Sequence, residues 1–366
     1  MTLRRPQLPM DRLRSRFFIL SRFIHHYLLW FLISVYVIAA FYPTAGLWIR
    51  NASLGSFSIL QERMPISLLM LMLSLLMFNA GLGVKAAHLR RIFQKKLMVF
   101  IGLAANVVVP VAYIFVVTLI MRFWYEPVEA QYILIGLALV AAMPIAGAST
   151  AWAQNSNGNL ALSLGLVLFS TMLSPIVTPV ALQVFGEMAA DECEVILQGL
   201  AGYGSIAFLG LWVVLPALLG LLVRFMVHET WLEGAMPYIK VINSIDLLLL
   251  NYSNASVSLP KAIADRDVDF LFVTFGITTG LCIIAFASGY WLSRLFKLDQ
   301  AERMSLMYGL GMNNNGTGLV LASLTLSSYP RVMVPIMFYN LAQHIVAGIV
   351  HEFTDKPSAN RKSESG

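Results

Sequence analysis

The sequence predicts an all-α polytopic membrane protein of about ten transmembrane helices, arranged as two inverted five-helix repeats. Three observations predict it. First, 58% of the 366 residues are apolar and only 12% are charged, with a mean hydropathy of +0.74. A soluble fold of this size needs a charged shell, and this chain has too few charges to make one. Second, the apolar residues fall in blocks near the roughly 20 residues that cross a ~30 Å hydrocarbon core. Third, the basic residues crowd into alternate short loops.

Taken in order, a basic segment (1–27) comes first, rich in arginine (Arg4, Arg5, Arg12, Arg14, Arg16, Arg22). The apolar block behind it is too long for the core of a signal peptide, which points to an uncleaved first helix. Within this segment Asp11–Tyr27 reads either as an amphipathic helix on an anionic leaflet or as a plain basic tail that sets topology. The first repeat (28–185) holds spans near Leu28–Ile49, Pro65–Val84, Leu97–Met121, Ile133–Trp152 and Leu160–Phe185. An acidic linker (186–202) carries Glu187, Asp191, Glu192 and Glu194. The second repeat (203–350) holds spans near Tyr203–Val227, Met236–Ser253, Phe270–Leu292, Ser305–Thr325 and Val332–Val350. A polar tail (351–366) is expected to be disordered.

The loop charges test this order. Lys85–Lys96, Arg224/Lys240, Arg294/Lys297/Arg303 and the tail are basic, whereas Glu126/Glu129, the linker and Asp265–Asp269 are acidic or mixed. The alternation predicts both termini in the cytoplasm, and a bacterial inner (plasma) membrane is the expected location. It also accounts for the net charge of +6 without a nucleic-acid partner. The bilayer is the expected partner, and the sequence does not specify an oligomeric state. Cys193 and Cys282 lie too far apart in character, one in an acidic linker and one in an apolar block, to suggest a disulfide.

Five spans per half force two copies of a repeat into opposite orientations, a common plan among secondary transporters. The fourth and ninth spans, at equivalent places, each interrupt an apolar run with small and polar residues. In the fourth the run is Met143-Pro-Ile-Ala-Gly-Ala-Ser-Thr150; in the ninth it is Tyr308-Gly-Leu-Gly-Met-Asn-Asn-Asn-Gly-Thr317. A helix broken in hydrocarbon frees N–H and C=O groups that must be satisfied by protein, water or ligand. Such residues also serve close helix packing, which is the other reading of Pro144–Ala148. Asn313-Asn314-Asn315 fits packing less well, because three adjacent carboxamides point in different directions.

These residues resemble the bile acid:sodium symporter family. The resemblance rests on Pro144 and Ser149, on Gly158-Asn159-Leu-Ala-Leu-Ser163, on Ser170-Thr171, Pro175 and Thr178-Pro179, and on Gly311-Met312-Asn313-Asn314, similar to the family's Gly-Met-Gln-Asn. It implies a panel (spans 1, 2, 6, 7) and a core (spans 3–5, 8–10) in which helices 4 and 9 cross at their breaks. It also implies a small organic anion as substrate, with sodium behind the crossover. Carried across, Ser149, Thr150 and Ser163 stand at one sodium site, and Asn106, Met312 and Asn313, with the carbonyl of Leu310, at the other. Asn314, Asn315, Asn340 and His344 stand at the substrate site. Thr150 replaces an Asn and Asn313 a Gln, each still offering an oxygen, while two positions lose a ligand: Gly309 replaces a Glu that bridges both sodium sites, and Val167 replaces a Thr ligand. A carboxylate does much to hold a hard cation, so Gly309 argues for altered ion coupling, and no organic cofactor is expected.

Asp246, in the seventh span beside Asn243 and Ser244, is the candidate intramembrane proton carrier, or else an acid near an interface. His344 can bind an anion or shuttle a proton, or simply bond a neighbouring helix. No Gly-x-x-x-x-Gly-Lys-[Ser/Thr], His-Glu-x-x-His or Gly-x-Ser-x-Gly motif occurs, so ATP-driven transport and intramembrane catalysis lack support. Arsenite efflux is disfavoured because neither cysteine lies at the fourth-span break. The remaining alternative is a non-transporting receptor or scaffold that keeps the fold.

Overall fold

A computed structural model describes residues 9–59, 62–84, 91–189, 191–264 and 267–354. Lys85 and Arg90 of the basic loop, and the tail from 355 on, lie outside the described residues.

Helix α1 (Pro9–His26) meets α2 (Leu28–Phe41) at a bend of 69°. The first span, expected to be continuous, stops at Phe41 and restarts as α3 (Thr44–Asn51) behind Pro43. Proline has no N–H to continue a helix but is preorganised to begin one. An antiparallel hairpin then replaces the expected start of the second span: β1 (Ser53–Ile59) pairs with β2 (Glu62–Ser67), which contains Pro65. The helix begins only at α4 (Leu68–Leu82), where Ser67 Oγ accepts the Met70 N–H at 3.3 Å and caps it.

The chain continues through α5 (Lys96–Met121), α6 (Pro127–Ala142), α7 (Ala148–Asn155) and α8 (Leu160–Met188). The acidic linker is not a plain spacer. It forms α9 (Asp191–Leu200), which lies back along α8 and buries Cys193, Leu197 and Leu200, one apolar stripe at helical spacing. The sixth span is α10 (Tyr203–Leu209) and α11 (Leu215–Met226) joined by a π-helical turn, Gly210–Val214. Pro216 lacks the N–H that would bond Trp212 C=O, and Ser74 Oγ supplies a donor to that carbonyl at 3.3 Å. The second half ends with α12 (Glu229–Ala264), α13 (Val268–Leu295), α14 (Gln300–Gly311), α15 (Asn315–Thr325) and α16 (Met333–Thr354).

Among the described residues, five helices are by themselves long and apolar enough to cross a membrane: 93–121, 160–188, 204–226, 268–295 and 330–353. The other five expected spans differ in kind. The first, fourth and ninth are interrupted, the second is a 15-residue helix, and the seventh is a 36-residue helix rich in polar residues. Large apolar side chains stand exposed on the outer faces of the long helices, among them Phe100 and Phe115 on α5, Leu222 on α11 and Phe272 on α13. An apolar belt of that kind suits hydrocarbon.

Packing divides by neighbour. Helices α2, α3, α4 and α11 lie against α12 or one another, while α5, α6, α8, α13, α14 and α16 form a second set of contacts. Within the first set α4 and α11 touch backbone to backbone: a Cβ on Gly81 would fall 2.0 Å from Ala217 O, and one on Gly220 would fall 1.9 Å from Phe78 O. Only glycine permits that approach.

Charged pairs tie loops that the alternation places on one side. Lys95 Nζ meets Glu302 Oε1 at 2.5 Å, joining the starts of α5 and α14. Arg331 Nη1 meets Asp267 Oδ2 at 2.9 Å and Glu129 Oε1 at 3.4 Å, joining the starts of α6, α13 and α16.

Candidate functional site

The fourth and ninth spans break where they cross. Residues Met143–Gly147 separate α6 from α7, and Met312–Asn314 separate α14 from α15. Ile145 and Asn313 face each other as an isolated antiparallel bridge. On either side of it Ala146 N–H donates to Met312 O at 2.9 Å and Asn314 N–H donates to Pro144 O at 2.8 Å. Each break thus satisfies the other, which removes part of the cost of opening a helix in a dry interior.

Four further groups at the breaks are met by the long helix that follows each. From α8, Ser170 Oγ accepts the Ile145 N–H at 3.1 Å and Thr178 Oγ1 donates to Ala142 O at 2.6 Å. From α16, Gln343 Oε1 accepts the Asn313 N–H at 3.1 Å and Tyr339 Oη donates to Gly311 O at 3.2 Å. Asn313 also reaches across the crossing, its Nδ2 donating to Val140 O at 3.0 Å.

Three oxygens near this crossing are buried without a hydrogen-bond partner: Asn106 Oδ1, Ser149 Oγ and Asn313 Oδ1. Asn106 and the break residues Met143 and Pro144 line one small cavity of about 50 Å³, together with Ser170 and Thr178. Ser163 Oγ donates to Thr150 Oγ1 at 3.4 Å, so these two hydroxyls come together. The carbonyl of Met312 accepts the Ala146 N–H. Neutral oxygens of this kind fit a weakly held hard cation or the polar groups of a small solute.

Gly309 has an apolar neighbour. A Cβ there would lie 2.8 Å from Leu166 Cδ1. Leu166 is buried with Val99, Ile145, Leu162 and Leu306, and Val167 packs against this cluster. An apolar plug therefore surrounds both Gly309 and Val167.

The proposed substrate residues separate. Asn314 caps α15, its Oδ1 accepting the Thr317 N–H at 3.3 Å, and its Nδ2 faces Met77 Sδ at 3.5 Å. Asn315 is buried with neither amide atom bonded, and Thr317 Oγ1 is likewise unpartnered. Asn340 spends its carboxamide on Tyr36 Oη at 3.1 Å, Asn251 Oδ1 at 3.0 Å and the Gln343 amide at 3.2 Å. His344 is buried one turn further along α16. Asp246 sits midway along α12, 17 residues from Glu229 and 18 from Ala264, and is buried with Oδ2 unpartnered. No hydrogen bond joins it to the crossing among the described residues; one turn earlier Asn243 accepts from Asn79 at 3.2 Å.

Sequence reasoning did not single out Tyr36, Asn251 or Tyr339 as part of this site. Asn251 carries a faint signal, a carboxamide directly behind four leucines. A tyrosine in an apolar helix carries none, because its ring belongs there whatever its hydroxyl does.

The sequence profile of the Sodium Bile acid symporter family matches residues 70–262. The chain is similar to the uncharacterized sodium-dependent transporter YocS of Bacillus subtilis (strain 168), 25% identical over 329 residues, which are 88% of this chain and 95% of that protein. It is also similar to the uncharacterized protein YbaS of the same organism, 26% identical over 215 residues, 58% of this chain and 66% of that one. A third likeness is to the probable sodium/metabolite cotransporter BASS2, chloroplastic, of Oryza sativa subsp. japonica: 25% identical over 264 residues, 72% of this chain and 58% of the relative.

Proposed function

The chain belongs to the sodium bile acid symporter family, and from that premise we propose that it is a secondary active transporter of a small organic anion. The protein is integral to the membrane; we place it in an inner (plasma) membrane with ten spans, both termini cytoplasmic, a panel of α2–α4 and α10–α12, and a core of the other spans. The single observation that carries the reading is the crossing at Ile145 and Asn313, with unpartnered oxygens on three elements around it. Backbone freed inside a membrane protein belongs where a polar solute passes.

Sodium is supported as the coupling ion by the names of two relatives. Against strong coupling stands the chemistry of the crossing: its side-chain ligands are neutral, and Leu166 fills the space beside Gly309. The reading is therefore a transporter with weak sodium dependence, its cation held by Ser149, Thr150, Ser163, Asn106 and Asn313. Asp246 is the candidate carrier of a proton in its place.

Uptake of labelled organic anions into proteoliposomes, with sodium and proton gradients imposed separately, tests this. Accumulation that changes only a few-fold on removing sodium is expected. A steep sodium requirement would overturn the weight placed on Gly309. The plug around Leu166 also favours a second reading, a receptor that binds without transporting; binding with no accumulation under either gradient selects it.

A further inference from the structure

Four side chains form a closed polar relay between the two sets of helices. Tyr36 on α2 donates its hydroxyl to Asn251 Oδ1 on α12 at 2.9 Å. Asn340 on α16 donates both amide hydrogens, to that same Oδ1 at 3.0 Å and to Tyr36 Oη at 3.1 Å. Gln343 Nε2 donates to Asn340 Oδ1 at 3.2 Å, and Gln343 Oε1 accepts the backbone N–H of Asn313 at 3.1 Å. All are buried. Two of the four, Tyr36 and Asn251, belong to the set packed around α12; the other two stand on α16, beside the crossing.

Such a relay has two well-defined states. When closed, every donor and acceptor named is used. When α12 and α2 move off α16, both amide hydrogens of Asn340 lose their acceptors together, while the Tyr36–Asn251 and Gln343–Asn340 bonds stay within their own sets. Gln343 is the hinge of the relay, since one amide group bonds both the triangle and the ninth-span break.

We propose that Tyr36, Asn251, Asn340 and Gln343 are a latch that holds panel to core and couples that closure to the state of the ninth-span break. Asn340 thus acts as a positioning residue before it meets any substrate. A ligand that draws on Asn313 competes for the same break, releases Gln343 and loosens the triangle. This deepens the transport reading and rests on the panel and core moving apart.

The test measures the panel-to-core distance directly. Spin labels at Trp48→Cys on α3 and Phe123→Cys beyond α5, both exposed, are read in the full-length protein in nanodiscs. Tyr36→Phe, Asn251→Leu, Asn340→Leu and Gln343→Leu are compared, with thermal stability confirming that each is folded. Each is expected to raise the separated population roughly five- to thirty-fold, Tyr36→Phe least. Unchanged distances in the folded variants would overturn the latch. A shift with Asn251→Leu but none with Gln343→Leu would overturn its coupling to the break. Wild-type uptake separates this from the transport reading: shifted distances with no uptake by wild type strike transport and leave the latch standing. Uptake lost in the variants at unchanged distances does the reverse.

Discussion

At the fourth-span break the partners are hydroxyls: Ser170 takes the Ile145 N–H and Thr178 takes Ala142 O. At the ninth the partners are longer, with the carboxamide of Gln343 and the phenol of Tyr339 in the corresponding roles. In both cases the helper comes from the long helix that follows the break, α8 for the first and α16 for the second. A hydroxyl ends a hydrogen-bond chain close to where it began. A carboxamide has donor and acceptor on different atoms and passes the chain on. The fourth break is thereby settled locally, while the ninth is wired to Asn340, Asn251 and Tyr36.

The variant that strains this comparison most is Asn313→Leu. It takes from Val140 O one of two donors, the Met143 N–H being the other, a loss of about 0.5–1.5 kcal/mol, and removes a candidate ligand. Uptake into proteoliposomes is expected to fall to background; uptake near wild type would move the functional centre away from the ninth span. Next is Gly309→Glu, which forces a charge against Leu166 and should cost about 1–3 kcal/mol from overpacking alone. Gly309→Glu with Leu166→Ala provides room, and it should convert weak sodium dependence into strong dependence in the gradient assay. No change in sodium dependence would overturn the proposed link between Gly309 and weak coupling.

Smaller effects come from the fourth break. Thr178→Val keeps the shape and loses one hydrogen bond, so thermal melting should report a loss of about 0.5–1.5 kcal/mol with transport preserved. A larger effect on transport than Gln343→Leu would invert the contrast between the breaks. Ser149→Ala removes a buried hydroxyl that has no partner. Melting should be unchanged or higher, and any sodium-dependent fraction of uptake should drop.

The smallest effect lies at the loop end. Burial and a hydrogen bond with Asp267 hold the Glu129 carboxyl above its usual range. Asp267 is held below its own: burial opposes this, but the hydrogen bond with Glu129, the Phe270 N–H and the Arg331 guanidinium outweigh it. A raised carboxyl contributes stability below its unfolded pKa and loses it as pH rises through the folded value. Gln resembles the protonated form, so the melting temperature of Glu129→Gln relative to wild type should improve between pH 4 and pH 8. A relative improvement toward pH 4 would contradict the assignment.

The parts of this fold legible in the sequence are those set by composition and spacing. Gly and Pro inside apolar runs marked both breaks, and the loop charges grouped Glu129 and Asp267 near one end and Lys95 and Arg303 near the other. The interruption at Pro43 and the hairpin through Pro65 were hidden because apolar residues continue across them. Helix α9 was masked by its acids, although Cys193, Leu197 and Leu200 carry its period. Long-range partners were least visible. Asn340 reads as a substrate ligand from its place in the tenth span, yet its bonds go to residues 304 and 89 positions away. Nothing local records that.

The reciprocal hydrogen bonds at Ile145 and Asn313 have a mechanical consequence. Two rods pinned at one point act as shears: tilting α6 against α15 on one side swings α7 against α14 on the other. The pin is two backbone bonds wide, narrow enough to pivot and short enough to resist sliding. Widening the angle between α6 and α15 then widens the angle between α7 and α14 by the same amount, so the two ends of the crossing change together and neither pair of half-helices moves alone.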